Sequence, residues 1–370
     1  MLYQDFQDVK LSMLGLGCMR LPKSGEEDSC IDEAEAGKMV DYALEKGINY
    51  FDTAWMYHGG QSEITLGKLL RKHPRDSYYI ATKFPGFSVE NMKNPRQVFE
   101  KQLEKTGMEY FDFYLFHNVC EDNIDNYLNP EYGVVDCLLR EKAAGRIRHL
   151  GFSCHGSMEV LKRFLDECGE HLEFGMLQLN WLDWTFQKAG EKAALLRERG
   201  LDVWVMEPLR GGKLTRLSEK DAARLEALRP GQTPASWGLR FVRSVPGVKM
   251  ILSGMSDMEQ LKENISLFEQ PDVLNEEEWD TLVDMGARMA AGIPCTECRY
   301  CVDHCPQGLD IPKLLDAYNV QSFAGRGFEL DLPEEKQPGA CVGCKACESI
   351  CPQKIGIAKA MAGFAEKLKG

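Results

Sequence analysis

Eight cysteines in two short runs near the C-terminus are the residues most clearly spaced for chemistry. Each run reads Cys-x2-Cys-x2-Cys-x3-Cys-Pro, which is typical of thiolate ligands to four-iron clusters. One such run alone could hold zinc, but two matched runs, separated by residues 306–340, favour two 4Fe–4S clusters. The predicted ligands are Cys295, Cys298, Cys301, Cys305, Cys341, Cys344, Cys347 and Cys351.

Four titratable residues form a second candidate site. Asp52 follows the apolar run "NYF", Lys83 follows "YYIAT", His117 follows "FYLF", and Tyr57 lies shortly after Asp52. Each alone has a structural explanation: a turn cap, a solvated charge, a packed histidine or an interfacial ring. Because three of them end successive apolar runs, we expect all four at one rim, and this joint placement favours a catalytic site over four separate structural roles.

The elements that must position these residues alternate along the first ~290 residues between β-rich and amphipathic helical stretches. Alanine, methionine and valine at helical spacing in "EAGKMVDYALEKG" illustrate the helices. Five helices are predicted to end at a glycine: Gly47, Gly107, Gly145, Gly169 and Gly200. The eight predicted strands are "MLGLGC", "GINYFDTA", "SYYIATK", "YFDFYLFH", "RIRHLGFS", "FGMLQLN", "LDVWVME" and "GVKMILSG".

Eight such units predict an α/β fold, a (β/α)8 TIM barrel over residues 1–288, with a small α+β dicluster ferredoxin-like domain over residues 289–370. A doubly wound sheet is the rival. It would show Gly-x-Gly-x-x-Gly after a strand, whereas "GLGCMRLP" has only the first two glycines. Between the cysteine runs, "IPKLLDAYNV" predicts a helix, and the C-terminal "IGIAKAMAGFAEKLKG" predicts another.

Composition excludes several classes of partner. The net charge of −13, from 44 basic and 57 acidic residues, disfavours nucleic acid and anionic membranes. The start "MLYQDFQDVK" is not a secretory signal, and no apolar run is long enough to span a bilayer. We therefore expect a cytoplasmic protein. In that reducing compartment the other cysteines should be small buried residues: Cys18, Cys30, Cys120, Cys137, Cys154 and Cys168.

The segments "FDTAWMYHGGQSE", "ATK" and "LFHN" resemble the catalytic segments of the aldo-keto reductase family, in its order and spacing. The resemblance covers roughly residues 8–285 and includes "GFS", "LQLN", "PLRGG" and "EQLKEN". It implies an NAD(P)H-dependent oxidoreductase that acts on a small-molecule carbonyl or alcohol. Asp52, Tyr57, Lys83 and His117 would be its catalytic tetrad. Lys83 would lower the pKa of Tyr57, Asp52 would fix Lys83, and His117 would orient the substrate oxygen.

The same resemblance implies a set of nicotinamide-cofactor contacts at strand ends and in the loops that follow. The set departs from the family pattern at Cys154, where asparagine is usual, and at Met206, where a tyrosine commonly stacks. Gly254 and Gln260 stand where basic residues grip a 2′-phosphate, so NADP(H) and NAD(H) both stay open; Arg20 and Arg210 are the nearby alternatives. The implied contacts are Met19, Arg20, Asp52, Ser153, Cys154, Gln178, Met206, Pro208, Leu209, Arg210, Gly211, Gly254, Gln260, Glu263 and Asn264.

The tail resembles bacterial dicluster ferredoxins, which implies that the fourth cysteine of each run, Cys305 or Cys351, ligates the cluster of the other run. A nicotinamide gives up two electrons as hydride, whereas each cluster passes one, so direct exchange would need a carrier such as a flavin. We favour a nicotinamide reductase with an electrically separate tail. The alternative is an electron-transfer or redox-sensing protein whose barrel binds a flavin or another ligand and exchanges electrons with the clusters, either through that flavin or through an outside partner.

Overall fold

Eight parallel strands close into a barrel, and these are the eight strands predicted. In this computed structural model, residues 1–289, 292–293, 295, 298–324, 330 and 332–369 are described. Two further strands, β1 Tyr3–Phe6 and β2 Val9–Ser12, form an antiparallel hairpin before the barrel. The barrel strands are β3 Leu14–Gly17, β4 Tyr50–Asp52, β5 Tyr79–Phe84, β6 Phe111–Val119, β7 Ile147–Cys154, β8 Phe174–Gln178, β9 Asp202–Met206 and β10 Val248–Ser253.

Alternate residues along the strands fill the barrel, as the period of two in a β-strand requires. Phe113 and Leu115 of β6 and Phe174 and Met176 of β8 belong to one buried cluster. Phe6 of the hairpin joins the same cluster, with its ring 4.7 Å from that of Trp204. The barrel is therefore a packed core, and chemistry is left to the ends of its strands.

Helices follow the barrel strands. The first of them, α1, begins at the N-cap Asp32, whose Oδ1 accepts from the backbone N–H groups of Ala34 and Glu35 at 3.1 and 3.0 Å. The helices are α1 Glu33–Glu45, α2 Gln61–Leu70, α3 Val89–Lys93, α4 Pro95–Thr106, α5 Ile124–Tyr127, α6 Val134–Ala143, α7 Met158–Cys168, α8 Asp183–Phe186, α9 Ala189–Glu198, α10 Glu219–Leu228, α11 Pro234–Arg243, α12 Met258–Leu267, α13 Glu276–Met289, α14 Ile311–Ala324, α15 Ala346–Ser349 and α16 Ile357–Lys369.

The glycines at helix ends behave as predicted in four cases of five. Gly47, Gly107, Gly145 and Gly200 have φ between 65° and 91°, the left-handed region that glycine adopts at low cost. Gly169 differs, with a right-handed φ of −58°, because the chain continues from α7 directly into the 3₁₀ turn Gly169–His171.

The chain divides into two compact units. The first unit comprises Met1–Pro208 and Ala235–Glu276, and the second comprises Leu209–Pro234 and Glu277–Gly370. The segment Leu209–Pro234, which follows β9, thus belongs to the unit that carries the cysteine runs. Sequence periodicity could not show this, because only tertiary contacts assign a loop to a unit.

The described part of the second unit is built from helices and turns. A buried cluster joins the cysteine runs to α14 and α16 through Leu314, Leu315 and Met361. The ring of Tyr318 on α14 lies 5.5 Å from that of Phe364 on α16. Both predicted tail helices are present, and no strand is assigned among this unit's described residues. Within the described chain, no helix has the length and apolar character of a membrane span.

Candidate functional site

A buried ion pair lies at the ends of two adjacent barrel strands. Lys83, near the end of β5, is 1% exposed, and Asp52, the last residue of β4, is 3% exposed. The Lys83 Nζ donates to Asp52 Oδ1 and, at 2.8 Å, to the carbonyl oxygen of Thr53. Burial raises the pKa of the Asp52 carboxyl, and the ammonium of Lys83 opposes that rise. The pair therefore holds a positive charge in place beneath the strand ends.

Tyr57 begins the short 3₁₀ turn after β4 and is half-buried. The Lys83 Nζ lies 4.9 Å from the centre of its ring. Burial raises the pKa of the Tyr57 hydroxyl well above its ordinary value, and the carboxyl groups of Asp52 and Glu207 add to the rise. The net shift is thus opposite to the lowering expected from Lys83 alone. Tyr57 is therefore protonated at neutral pH, as a proton donor must be.

His117, on β6, lies beside Tyr57. The two rings meet edge to face with their centres 5.9 Å apart, and the ring of Phe87 lies 5.0 Å from His117 on an edge-to-face contact of its own. Burial lowers the pKa of His117 well below its ordinary value, and Lys83 and His155 lower it further. The imidazole is therefore neutral at neutral pH and can form a hydrogen bond with a substrate oxygen.

His58 fixes the turn that carries Tyr57. It is buried and has a left-handed φ of 53°, an unfavourable conformation for a residue with a side chain. Its Nε2 accepts from the backbone N–H of Leu21 at 3.0 Å, and its Nδ1 lies 2.8 Å from the carbonyl oxygen of Asp28. Since Nε2 accepts, Nδ1 carries the proton and donates it. The strained turn is held in place by these two bonds.

A buried polar network around Glu63 of α2 supports the site, and the sequence analysis missed it. Glu63 is fully buried, and its Oε1 accepts from Thr82 Oγ1 at 2.6 Å and from Gln102 Nε2 at 2.7 Å. Its Oε2 accepts from Lys105 Nζ at 2.5 Å. Both oxygens of the buried carboxylate are thus paired, as its burial requires.

The network reaches the segments that carry Lys83 and Tyr57 through two further bonds. Gln102 Nε2 donates to the carbonyl oxygen of Lys83 at 3.0 Å, and Lys105 Nζ donates to that of Trp55 at 3.2 Å. Trp55 lies two residues before Tyr57. By residue type alone, Gln102 and Lys105 suggest a solvated helix face, whereas Glu63 lies in the segment "FDTAWMYHGGQSE" that resembles the family.

Ser153 and Gln178, implied as nicotinamide contacts, are buried at the ends of β7 and β8. Ser153 Oγ accepts from the backbone N–H of Asn118 at 2.8 Å, and Gln178 Nε2 donates to Asp183 Oδ2 at 2.8 Å. Both side chains are thus held at the same end of the barrel as the tetrad. Met206, which ends β9, is half-buried and packs against the barrel core.

Cys154 and His155 follow Ser153. Cys154 is buried, and burial raises its pKa to about 12, so it is a packed thiol rather than a reactive one. His155 is half-buried, and burial together with Lys192 lowers its pKa to about 4. Because His155 also lowers the pKa of His117, a second neutral imidazole stands near the first. The sequence analysis assigned it no role.

Arg20 and Gly254 lie together at the ends of β3 and β10. A Cβ atom on Gly254 would be 3.4 Å from Arg20 Cδ, so the arginine stem covers the glycine. Met19 and Arg20 are half-buried. The aliphatic stem of Arg20 therefore occupies the space beside Gly254, one of the two positions where the family pattern has a basic residue.

Gln260 and Asp257 form the N-terminal cap of α12. Asp257 Oδ1 accepts from the Gln260 backbone N–H at 2.8 Å, and Gln260 Nε2 donates to Asp257 Oδ2 at 2.7 Å. Asn264, one turn further, donates to Ser253 Oγ at 3.0 Å, and Glu263 is half-buried. The Asp257 carboxylate thus lies beside Gln260, the second position where the family pattern has a basic residue.

Arg210, another implied cofactor contact, donates hydrogen bonds to two residues in or near the cysteine runs. It is fully buried, and its Nη1 donates to the carbonyl oxygen of Cys295 at 3.2 Å. Its Nη2 donates to Gln353 Oε1 at 3.2 Å. Of the other implied contacts nearby, Pro208 belongs to the first unit, whereas Leu209 and Gly211 belong to the second. Hydrogen bonds of this arginine are therefore made inside the cysteine-bearing unit.

The eight cysteines of the two runs line two separate cavities. Site I is lined by Cys295, Cys298, Cys301 and Cys351. Site II is lined by Cys305, Cys341, Cys344 and Cys347. The last cysteine of each run thus lines the cavity of the other run, which is the grouping that the ferredoxin resemblance implies.

The donor set of each cavity fits a four-iron cluster. Four thiols surround one space, and apolar side chains such as Leu315 in site I and Met361 in site II complete the walls. Burial raises the pKa of the Cys347 thiol to about 11 and raises that of Cys301 as well, so a bound metal must displace these protons. Among the described side chains, no three ligands converge on one point as a single metal ion would need.

Comparisons with known proteins match both parts of the chain. The model of the Aldo/keto reductase family matches residues 13–286, and the model of the 4Fe-4S dicluster domain matches residues 294–355. A probable aldo-keto reductase 1 of Glycine max is 29% identical over 56% of this chain, which spans only 58% of that relative's length. An NADH-specific methylglyoxal reductase of Escherichia coli is 26% identical over 58% of this chain and 68% of its own.

A solved structure agrees with the fold. The aldo-keto reductase AKR11C1 from Bacillus halodurans, in its holo form, superposes with a TM-score of 0.61 at 26% sequence identity. The superposition covers 76% of this chain and 95% of that one. The barrel accounts for this likeness, and the cysteine runs lie beyond the range that the first family model matches.

Proposed function

The chain belongs to the aldo/keto reductase family and carries a 4Fe-4S dicluster domain, and from this premise we propose that the barrel reduces a small-molecule carbonyl, or oxidises the matching alcohol. The observation that carries the proposal is the buried Lys83–Asp52 pair beneath Tyr57. A nicotinamide cofactor supplies or accepts the hydride when bound. The protein's own residues handle the proton and the substrate oxygen.

Tyr57 donates the proton to the carbonyl oxygen, and His117 orients that oxygen. The raised pKa of Tyr57 keeps the proton in place until the substrate oxygen gains negative charge and becomes the stronger base. As the phenolate forms, the ammonium of Lys83 at 4.9 Å from the ring stabilises it. Asp52 prevents Lys83 from moving away, because a buried ammonium is costly without its partner.

NADH is the cofactor that we propose the barrel prefers. In the resemblance, the 2′-phosphate of NADPH would approach Gly254 and Gln260, and here Gln260 is bonded to the carboxylate of Asp257. A carboxylate repels a phosphate but can accept a hydrogen bond from a free ribose hydroxyl. Arg210 offers no help there, since its bonds go to Cys295 and Gln353. The Escherichia coli relative is named as NADH-specific.

The two clusters, we propose, exchange single electrons with an outside partner and are electrically separate from the nicotinamide. A cytoplasmic location suits eight cysteines that must stay reduced as ligands. The test is to add NADH anaerobically to flavin-free protein with its clusters intact, first alone and then with a panel of carbonyl compounds. Carbonyl-dependent NADH oxidation with unchanged cluster absorbance is expected. Prompt bleaching by NADH alone would instead support the alternative, in which the barrel exchanges electrons with the clusters.

A further inference from the structure

Arg210 is the fully buried arginine that the proposed function leaves without a role. It lies four residues after the end of β9 and has a left-handed φ of 50°. Its guanidinium donates to the Cys295 carbonyl oxygen and to the Gln353 side chain, both at 3.2 Å. These partners are distant in sequence, so the contact is built by the fold of the second unit.

Both partners belong to the wall of site I. Cys295 is one of its four thiols, and Gln353 lines the same cavity two residues after Cys351. Burying a guanidinium costs free energy unless hydrogen bonds and negative charge compensate it. Four thiolates give an iron–sulfur cluster a net negative charge, and one-electron reduction adds another. A cluster in site I would therefore supply compensating charge near this arginine.

We propose that Arg210 positions Cys295 and raises the reduction potential of the cluster in site I. A fixed positive charge near a cluster stabilises its reduced form more than its oxidised form, because the reduced form is the more negative. The step concerned is the gain of one electron from an external reductant, with no bond made or broken. The inference rests on the dicluster domain and not on carbonyl reduction in the barrel.

The chain offers a matched control in Arg299. This arginine also lines site I, but its side chain is 57% exposed and pairs with Asp310 at 3.2 Å. Solvent screens an exposed charge, so its effect on the cluster should be small. Comparison of Arg210 with Arg299 separates the effect of a buried guanidinium from that of any arginine at this cavity.

The experiment uses the full chain with reconstituted clusters, titrated anaerobically with dithionite and followed by electron paramagnetic resonance. Arg210→Gln should lower the reduction equilibrium constant of one cluster at least about tenfold, or about 59 mV for one electron. The other cluster should keep its potential. Arg210→Lys, which keeps the charge, should shift the potential of that cluster less. Arg299→Gln should change the reduction equilibrium constant of either cluster about twofold at most. A Cys351→Ser variant identifies which signal belongs to site I.

Iron and sulfide analysis decides the remaining outcomes. Unchanged potentials in Arg210→Gln with both clusters retained would overturn the proposal, as would a shift confined to site II. If Arg210→Gln cannot hold the site I cluster, Arg210→Met, which also removes the charge, decides: a lowered potential supports the proposal and an unchanged one overturns it. Loss of the site I cluster from both Arg210→Gln and Arg210→Met would show that Arg210 only stabilises the structure of the site, and would overturn its redox role.

Discussion

Lys83 and Asp52 form an ion pair that is almost completely removed from solvent at the ends of β5 and β4. Removal of one partner leaves the other charge buried and uncompensated. We expect Asp52→Ala to lower the free energy of unfolding by about 3–5 kcal/mol. Urea unfolding followed by tryptophan fluorescence, under anaerobic conditions, measures this. The double variant Asp52→Ala/Lys83→Met should recover part of the loss, and a double variant as unstable as the single one would contradict the account.

Tyr57→Phe removes only the hydroxyl that we assign as the proton donor. We expect kcat for carbonyl reduction to fall by about 10²–10⁴-fold while the visible absorbance of the clusters is unchanged. Steady-state assays with NADH and an active carbonyl measure it. Tyr3→Phe is the matched control, because Tyr3 is an exposed residue of the β1–β2 hairpin whose hydroxyl donates to the carbonyl oxygen of Gly47. Retention of most of the kcat in Tyr57→Phe would remove the acid assignment.

The strands, and the grouping of Asp52, Tyr57, Lys83 and His117 at their ends, could be predicted because they depend on local patterns. Apolar runs set the strands, and polar residues at their ends fall on one rim in any parallel barrel. The β1–β2 hairpin was missed because its two strands have four residues each and no long alternating pattern.

Polar contacts between distant segments could not be predicted. Glu63, Gln102 and Lys105 are ordinary helix-surface residues by type, and their burial depends on how α2 packs on α4. Arg210 illustrates the same limit, since its place in "PLRGG" suggests a nicotinamide contact. Its partners lie 85 and 143 residues away, at Cys295 and Gln353, and no spacing rule connects them.

His155 makes stability depend on pH. Its folded pKa of about 4 lies below its ordinary value near 6.5, so the unfolded chain binds a proton first as pH falls. No stability is lost to this group above about pH 6.5, and the loss grows as pH falls toward 4. We expect about 1 kcal/mol per pH unit from this group below pH 6.5.

The test compares urea unfolding of His155→Gln with that of the unaltered protein between about pH 7.5 and 5.5, where glutamine cannot titrate. The variant should lose less stability on acidification. His171→Gln is the control, because the His171 side chain is 41% exposed. Parallel pH profiles for all three proteins would show that His155 titrates as in the unfolded chain.

The grouping of cysteines in sites I and II predicts which cluster each substitution disturbs. Cys351→Ser should perturb the cluster built on the first run, and Cys305→Ser should perturb the cluster built on the second. Each variant contains a serine where the fourth thiolate is needed, so the remaining three thiols come from the opposite run. Electron paramagnetic resonance of the two variants, side by side, measures this. If each substitution disturbed the cluster of its own run, the crossed grouping would be wrong.

Gln260→Arg should let the barrel accept NADPH. The side chain at position 260 is bonded to Asp257 at the start of α12. An arginine there would pair with that carboxylate and offer a charged donor to a 2′-phosphate, which NADH lacks. We expect kcat/KM for NADPH to rise at least about tenfold, equivalent to about 1.4 kcal/mol, with little change for NADH. Ser266→Arg adds the same charge at an exposed position later in α12 and should leave both values unchanged. An equal rise in both variants would reveal a general charge effect, and no rise in Gln260→Arg would place the 2′-phosphate away from this end of the helix.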